Sequence, residues 1–182
     1  MESFKPTILF LVRFGVLYGL GSIFYSLYIS HYDPLADPLT IFVSENLRVF
    51  MSIIGQPISL ELDVDMPFVL VTYKDLPSVS VFEGCNGVAV MILFIAFVLA
   101  FRGRNNKAAL WFIPLGLLSI HLFNLIRLAL LIIINYYQSN LFHFYHKFLF
   151  TGVIYLFVLL FWVGWVRLQK APDSEILNPS EQ

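Results

Sequence analysis

The chain has 182 residues, of which 59% are hydrophobic and 13% charged, with a formal net charge of -1 and one cysteine. Soluble domains carry roughly 25% charged residues and about 45–50% apolar ones. This excludes a water-soluble globule, and a disordered chain would need low hydrophobicity and high charge. A near-neutral balance leaves no basic footprint for nucleic acid, and one thiol can form neither an internal disulfide, a C-x-x-C pair nor a thiolate cluster.

These proportions fit an all-α membrane protein, read as one transmembrane domain over 1–182. Four spans are predicted at about 8–30, 85–101, 108–136 and 147–168. Backbone in hydrocarbon must satisfy its own hydrogen bonds, so the spans are helices in a four-helix bundle. The first, broken only by Arg13, is too long for a signal-peptide core, and no small-x-small cleavage site follows it. The apolar part of the second, Gly87 to Phe101, covers only about 23 Å of helix and needs its flanks to complete a crossing. Lys5 and Arg13, then Arg102, Arg104 and Lys107, then Arg167 and Lys170 fall on one side. Asp33, Asp37, Glu45, Glu61, Asp63, Asp65, Asp75 and Glu83 all fall in 31–84 on the other, which with the link near 137–147 carries the basic residues Arg48, Lys74 and Lys147. The positive-inside rule puts both termini in the cytoplasm and 31–84 outside. The polar tail 171–182 has no apolar periodicity and reads as disordered.

Within the outer segment, Ser44, Glu45, Arg48 and Ser52 recur at helical spacing between Thr40 and Ile54, which predicts an interfacial helix. Ile58, Leu60, Leu62 and Val64 alternate with Ser59, Glu61, Asp63 and Asp65. With 68–73 and 78–82 they predict a small antiparallel β-element. The segment either reads substrate or only roofs the bundle. The sequence shows no internal repeat, no Gly-rich phosphate loop and no sign of a metal or organic cofactor.

Arg127 stands in an apolar run from Leu122 to Ile134, on the order of 12 Å below the expected outer rim. An arginine at the centre of a span costs at least ~2.5–3.5 kcal/mol, and no other predicted span offers a carboxylate partner. A recessed polar cavity open to the outside resolves the cost. Asn124 precedes Arg127 by three residues on the same helical face and could orient it or bind a substrate backbone. Alone, such an asparagine is more often a helix–helix contact.

Cys85 lies in Glu83-Gly84-Cys85-Asn86-Gly87, where two glycines and an asparagine favour a tight bend and a helix start. A thiol there feels the positive end of the helix dipole, and a nearby arginine would lower its pKa further, with Glu83 opposing. A free cysteine is otherwise a small inert hydrophobe, a reading that weakens at a Gly-flanked, solvent-facing mouth. His121, His143 and His146 fall on the same side. A thiol, a guanidinium and an imidazole converging from the outer ends of three spans suit nucleophilic acyl transfer, although these residues do not separate hydrolysis from transfer.

The set Cys85-Asn86-Gly87 at one span start, Asn124-Leu125-Ile126-Arg127 within the next and His146-Lys147-Phe148 opening the last resembles the exosortase/archaeosortase family. It is most similar to the exosortase F type, over about residues 80–168. The resemblance implies a membrane-embedded cysteine transpeptidase of the bacterial cytoplasmic membrane. Its partners would be exported proteins carrying a C-terminal sorting signal, made of a short motif, a transmembrane helix and a basic tail. It would cleave the signal and pass the protein to a surface acceptor. It makes Cys85 the nucleophile, Arg127 the transition-state stabiliser and His146 the general acid/base, with His143 the alternative for proton transfer. Asn86, Gly87 and Asn124 would support the site. The competing reading is a non-enzymatic membrane scaffold or subunit of an export or polysaccharide system, in which Cys85 is incidental.

Overall fold

The computed structural model describes residues 4–62, 66–101, 106–137 and 150–169. The expected start of the last span, with His143, His146 and Lys147, lies outside these residues, as do 63–65, the loop 102–105 and the tail 171–182. The chain is mostly helical, with one small sheet.

Helix α1, Lys5–Tyr32, is apolar all round and buries none of its residues against the rest of the chain, as expected of a helix whose solvent is lipid. It packs along α3, Val88–Ala100. A Cβ on Gly21 would meet Ile92 Cγ2 at 2.6 Å, so the helices approach at that glycine. Phe10 and Phe14 set their rings edge-on to Phe97.

Helix α2, Pro38–Ile53, begins two residues before the predicted start. Asp37 caps it, its Oδ1 accepting from the amides of Leu39 and Thr40, and Pro38 occupies the first turn, where a missing N–H costs nothing. Gly55, at φ +72°, ends it. There the amide of Gly55 donates to Ser52 O and that of Gln56 to Met51 O, the bond pair of a Schellman stop. Thr40, Val43, Ser44, Leu47 and Met51 form the buried face. Ser44, expected on the polar face, is therefore corrected to the buried one: its hydroxyl donates to Thr40 O at 2.9 Å, which removes the cost of burying it. Phe42, Val49 and Ile53 stay exposed beside the Glu45–Arg48 ion pair.

Three antiparallel strands follow in the order β1 (Ile58–Leu62), β2 (Val69–Tyr73) and β3 (Leu76–Val81). Lys74 and Asp75 join β2 to β3 with φ of 51° and 62°, the two-residue turn whose twist matches paired strands. Val71 pairs with Val79 while Thr72 pairs with Pro77, so Ser78 is an extra residue in β3. This bulge aims Ser78 at α4: its hydroxyl donates to Ile132 O, and its carbonyl accepts from Asn135 Nδ2 at 2.6 Å.

Helix α4, Ala109–Tyr137, is the axis of the molecule. Its first half joins α3 and α5, Phe150–Gln169, in a core of Phe94, Val98, Phe112, Ile120, Val158 and Trp165. Its second half packs Leu125, Leu128, Ala129, Leu131 and Ile132 against α2 and the sheet. Among the described residues, three helices (α1, α4 and α5) are long and apolar enough to cross a membrane. The expected second span is a 13-residue helix, so its flanks must supply the rest of the roughly 20 residues a bilayer crossing requires.

Candidate active site

The loop Phe82–Gly87 carries the chain from β3 into α3. Cys85 N donates to Phe82 O at 2.8 Å, closing a tight turn. Gly87 then caps α3 at φ +81°, a conformation natural to glycine. A side chain at Gly87 would also crowd Asn124, whose Nδ2 lies 3.3 Å from the position of a Cβ. The bend and helix start expected from the two glycines and the asparagine are present.

Asn124 of α4 joins the pieces. Its Nδ2 donates to Cys85 O at 2.9 Å, and its Oδ1 accepts from Arg127 Nη1 at 3.3 Å. One fully buried amide thus holds the Cys85 backbone and the Arg127 guanidinium together. Arg127 Nε is buried and has no hydrogen-bond partner among the described residues. The guanidinium opens onto a cleft of about 140 Å³, lined by Glu83, Gly84, Gly87, Val90, Ile154 and Tyr155 among others. A larger cavity, about 480 Å³, lies around Arg13 and Phe10 near the start of α1, remote from Cys85 in the chain.

One placement differs from expectation. Cys85 is 2% exposed, within the core cluster of Val81, Leu125 and Leu128, and not at a solvent-facing mouth. Burial pushes its thiol above the usual range, with Glu83 adding to the rise, while Arg127 and a backbone hydrogen bond at Phe82 oppose it. The net direction reverses the lowering expected from dipole and arginine. The turns beyond Arg127, Leu128 to Ile132, lie under the sheet and α2. From Ala109 to Arg127, α4 rises about 27 Å, nearly a hydrocarbon thickness of about 30 Å.

Among the histidines, His121 stacks on Phe42 of α2, with ring centroids 5.9 Å apart, and does not line the cleft. Asn86 is fully buried: its Nδ2 donates to Tyr25 OH (2.8 Å) and Thr40 Oγ1 (3.0 Å), and its Oδ1 accepts from Val88 N (3.0 Å). Tyr25, Thr40 and Tyr155 were not singled out from sequence. Hydroxyls on apolar helices give no local signal. Among the described residues no cluster of His, Cys, Asp or Glu is placed to hold a metal ion.

Neither a curated protein nor a solved structure matches this chain. The family model described as transmembrane exosortase (Exosortase_EpsH) matches residues 4–165. That stretch contains the Cys85 loop, the Asn124 bridge, Arg127 and all but the end of α5, so the chain belongs to the transmembrane exosortase family.

Proposed function

We propose that the chain is a membrane-embedded cysteine transpeptidase of the exosortase F type. It is one transmembrane domain crossing the bacterial cytoplasmic membrane four times, with both termini inside and the site facing outward. Exported proteins ending in a short motif, an apolar helix and a basic tail are its substrates, and a surface nucleophile accepts the product. The observation that carries this reading is the Asn124 bridge, which ties the backbone of the only cysteine in the chain to an arginine whose Nε has no hydrogen-bond partner among the described residues.

In this reading the Cys85 thiolate attacks the carbonyl carbon at the cleavage site. Arg127 stabilises the oxyanion, in surroundings where such a charge interaction is strong. The C–N bond breaks, and the departing amine takes its proton from His146, or from His143. The thioester left on Cys85 is opened by the acceptor nucleophile, which returns the thiolate. Because Cys85 is buried, its side chain must turn out of the core to meet the substrate.

Co-expression with an exported reporter bearing such a C-terminal signal tests the proposal. The wild-type protein is expected to cleave the reporter and accumulate a hydroxylamine-sensitive thioester. Cys85→Ala and Arg127→Ala should insert normally and cleave nothing. Full cleavage by Cys85→Ala would favour the scaffold reading, to which the 2% exposure of Cys85 lends its one specific support.

A further inference from the structure

We propose that Tyr25, Thr40 and Asp37 are positioning residues for Cys85: through Asn86 they form a hydrogen-bonded strap that holds the nucleophile's loop against α1 and α2. The inference rests on the reading of Cys85 as the nucleophile.

The direction of each bond in the strap follows from what the groups can donate. The single hydroxyl proton of Thr40 goes to Asp37 Oδ2. The hydroxyl oxygen is then left as an acceptor and must face a donor. Asn86 supplies one from its NH₂, which fixes the amide with its Oδ1 toward Val88 N. The second N–H of the amide reaches Tyr25 OH, whose own proton points to Glu83 O at 3.4 Å. Asp37 is 4% exposed, with its other oxygen occupied by the α2 cap, so it cannot swing away.

The loop is therefore gripped on both sides of Cys85, at Glu83 and at Asn86, by helices 46 to 61 residues distant. Asn124 grips the Cys85 carbonyl from the third direction. A buried network with every polar group paired fixes one geometry, whereas a half-paired one is costly and loose. An apolar trio would pack these helices equally well and would leave the loop free to rotate Cys85 away from Arg127.

The chain has one cysteine, so alkylation of the full-length protein by iodoacetamide in detergent reports on Cys85 alone. Thr40→Val keeps the volume and removes the hydroxyl, Tyr25→Phe keeps the ring and removes its oxygen, and Thr40→Ser keeps the bond. Both hydroxyl-lacking variants should alkylate about fivefold faster than wild type or more, with the rate–pH profile moved toward lower pH as the thiol loosens from its burial. They should also process the reporter about tenfold more slowly. Thr40→Ser should stay within about twofold on every readout.

Wild-type rates and profiles in Thr40→Val and Tyr25→Phe would overturn the strap. So would a Thr40→Ser variant as impaired as Thr40→Val, since packing would then be the cause. Altered alkylation in the strap variants together with full processing by Cys85→Ala would leave the strap standing and remove the nucleophile reading.

Discussion

Asn124 serves two neighbours with one side chain, which makes it more sensitive to chemistry than to shape. Asn124→Asp preserves volume and strengthens the Arg127 contact, but it replaces the Nδ2–H that Cys85 O accepts with an oxygen. Two facing acceptors repel, and a buried carbonyl left unpaired costs about 1–3 kcal/mol. Reporter cleavage is expected to fall by about tenfold or more while insertion is retained; unchanged cleavage would show that the bridge does not position Cys85. A second expectation concerns pH. Only the thiolate is nucleophilic, and burial raises the thiol pKa, so Cys85 alkylation should be slow at neutral pH and keep rising beyond the ordinary thiol midpoint of about 8.5. A plateau below that value would mean that Arg127 outweighs burial. The Asn124–Arg127 pairing was legible in the sequence because residues three apart share a helix face. The burial of Cys85 was not, because two glycines signal a bend without saying which way the side chain between them turns.

At the scale of elements, α4 packs against different partners along its length. Uniform hydropathy along 108–136 reads as one medium, yet the structure gives the helix two, a bundle core at one end and a sheet-and-α2 core at the other. A leucine packed on a strand and a leucine facing lipid look alike in sequence. The strands themselves were legible, since period-two alternation has one meaning, whereas Ser44 was misplaced because a polar residue that bonds its own helix backbone can sit on a buried face. The crossing of α3 and α4 depends on Gly116, where an added Cβ would lie 2.2 Å from Phe94 Cζ. Phe94 cannot retreat, being fully buried between Phe112 and Phe161. Gly116→Ala should therefore destabilise the protein by about 1–3 kcal/mol. Adding Phe94→Leu, which shortens the opposing side chain, should restore part of that. Thermal unfolding of the two single variants and the double variant measures the coupling; strict additivity would refute the contact.

For the molecule as a whole, the placement of charge makes a claim about topology. Lys5, Arg13, Lys107 and Arg167 belong to one end of the long helices. Asp33, Asp37, Glu45, Glu61, Asp75 and Glu83 belong to α2, the sheet and the loops around them at the other. Short basic segments stay in the cytoplasm, so the sheet should stand outside, and the cleft between the Cys85 loop and α5 should open on that side. On a Cys85→Ala background, a cysteine introduced at Leu76, which is 57% exposed on the hairpin, should react with a membrane-impermeant maleimide in right-side-out vesicles. A cysteine introduced at Lys107 should react only after the vesicles are opened. The opposite pattern would place the Cys85 loop in the cytoplasm, out of reach of any exported substrate, and transpeptidation at the cell surface would no longer be tenable however well the Asn124 bridge is built.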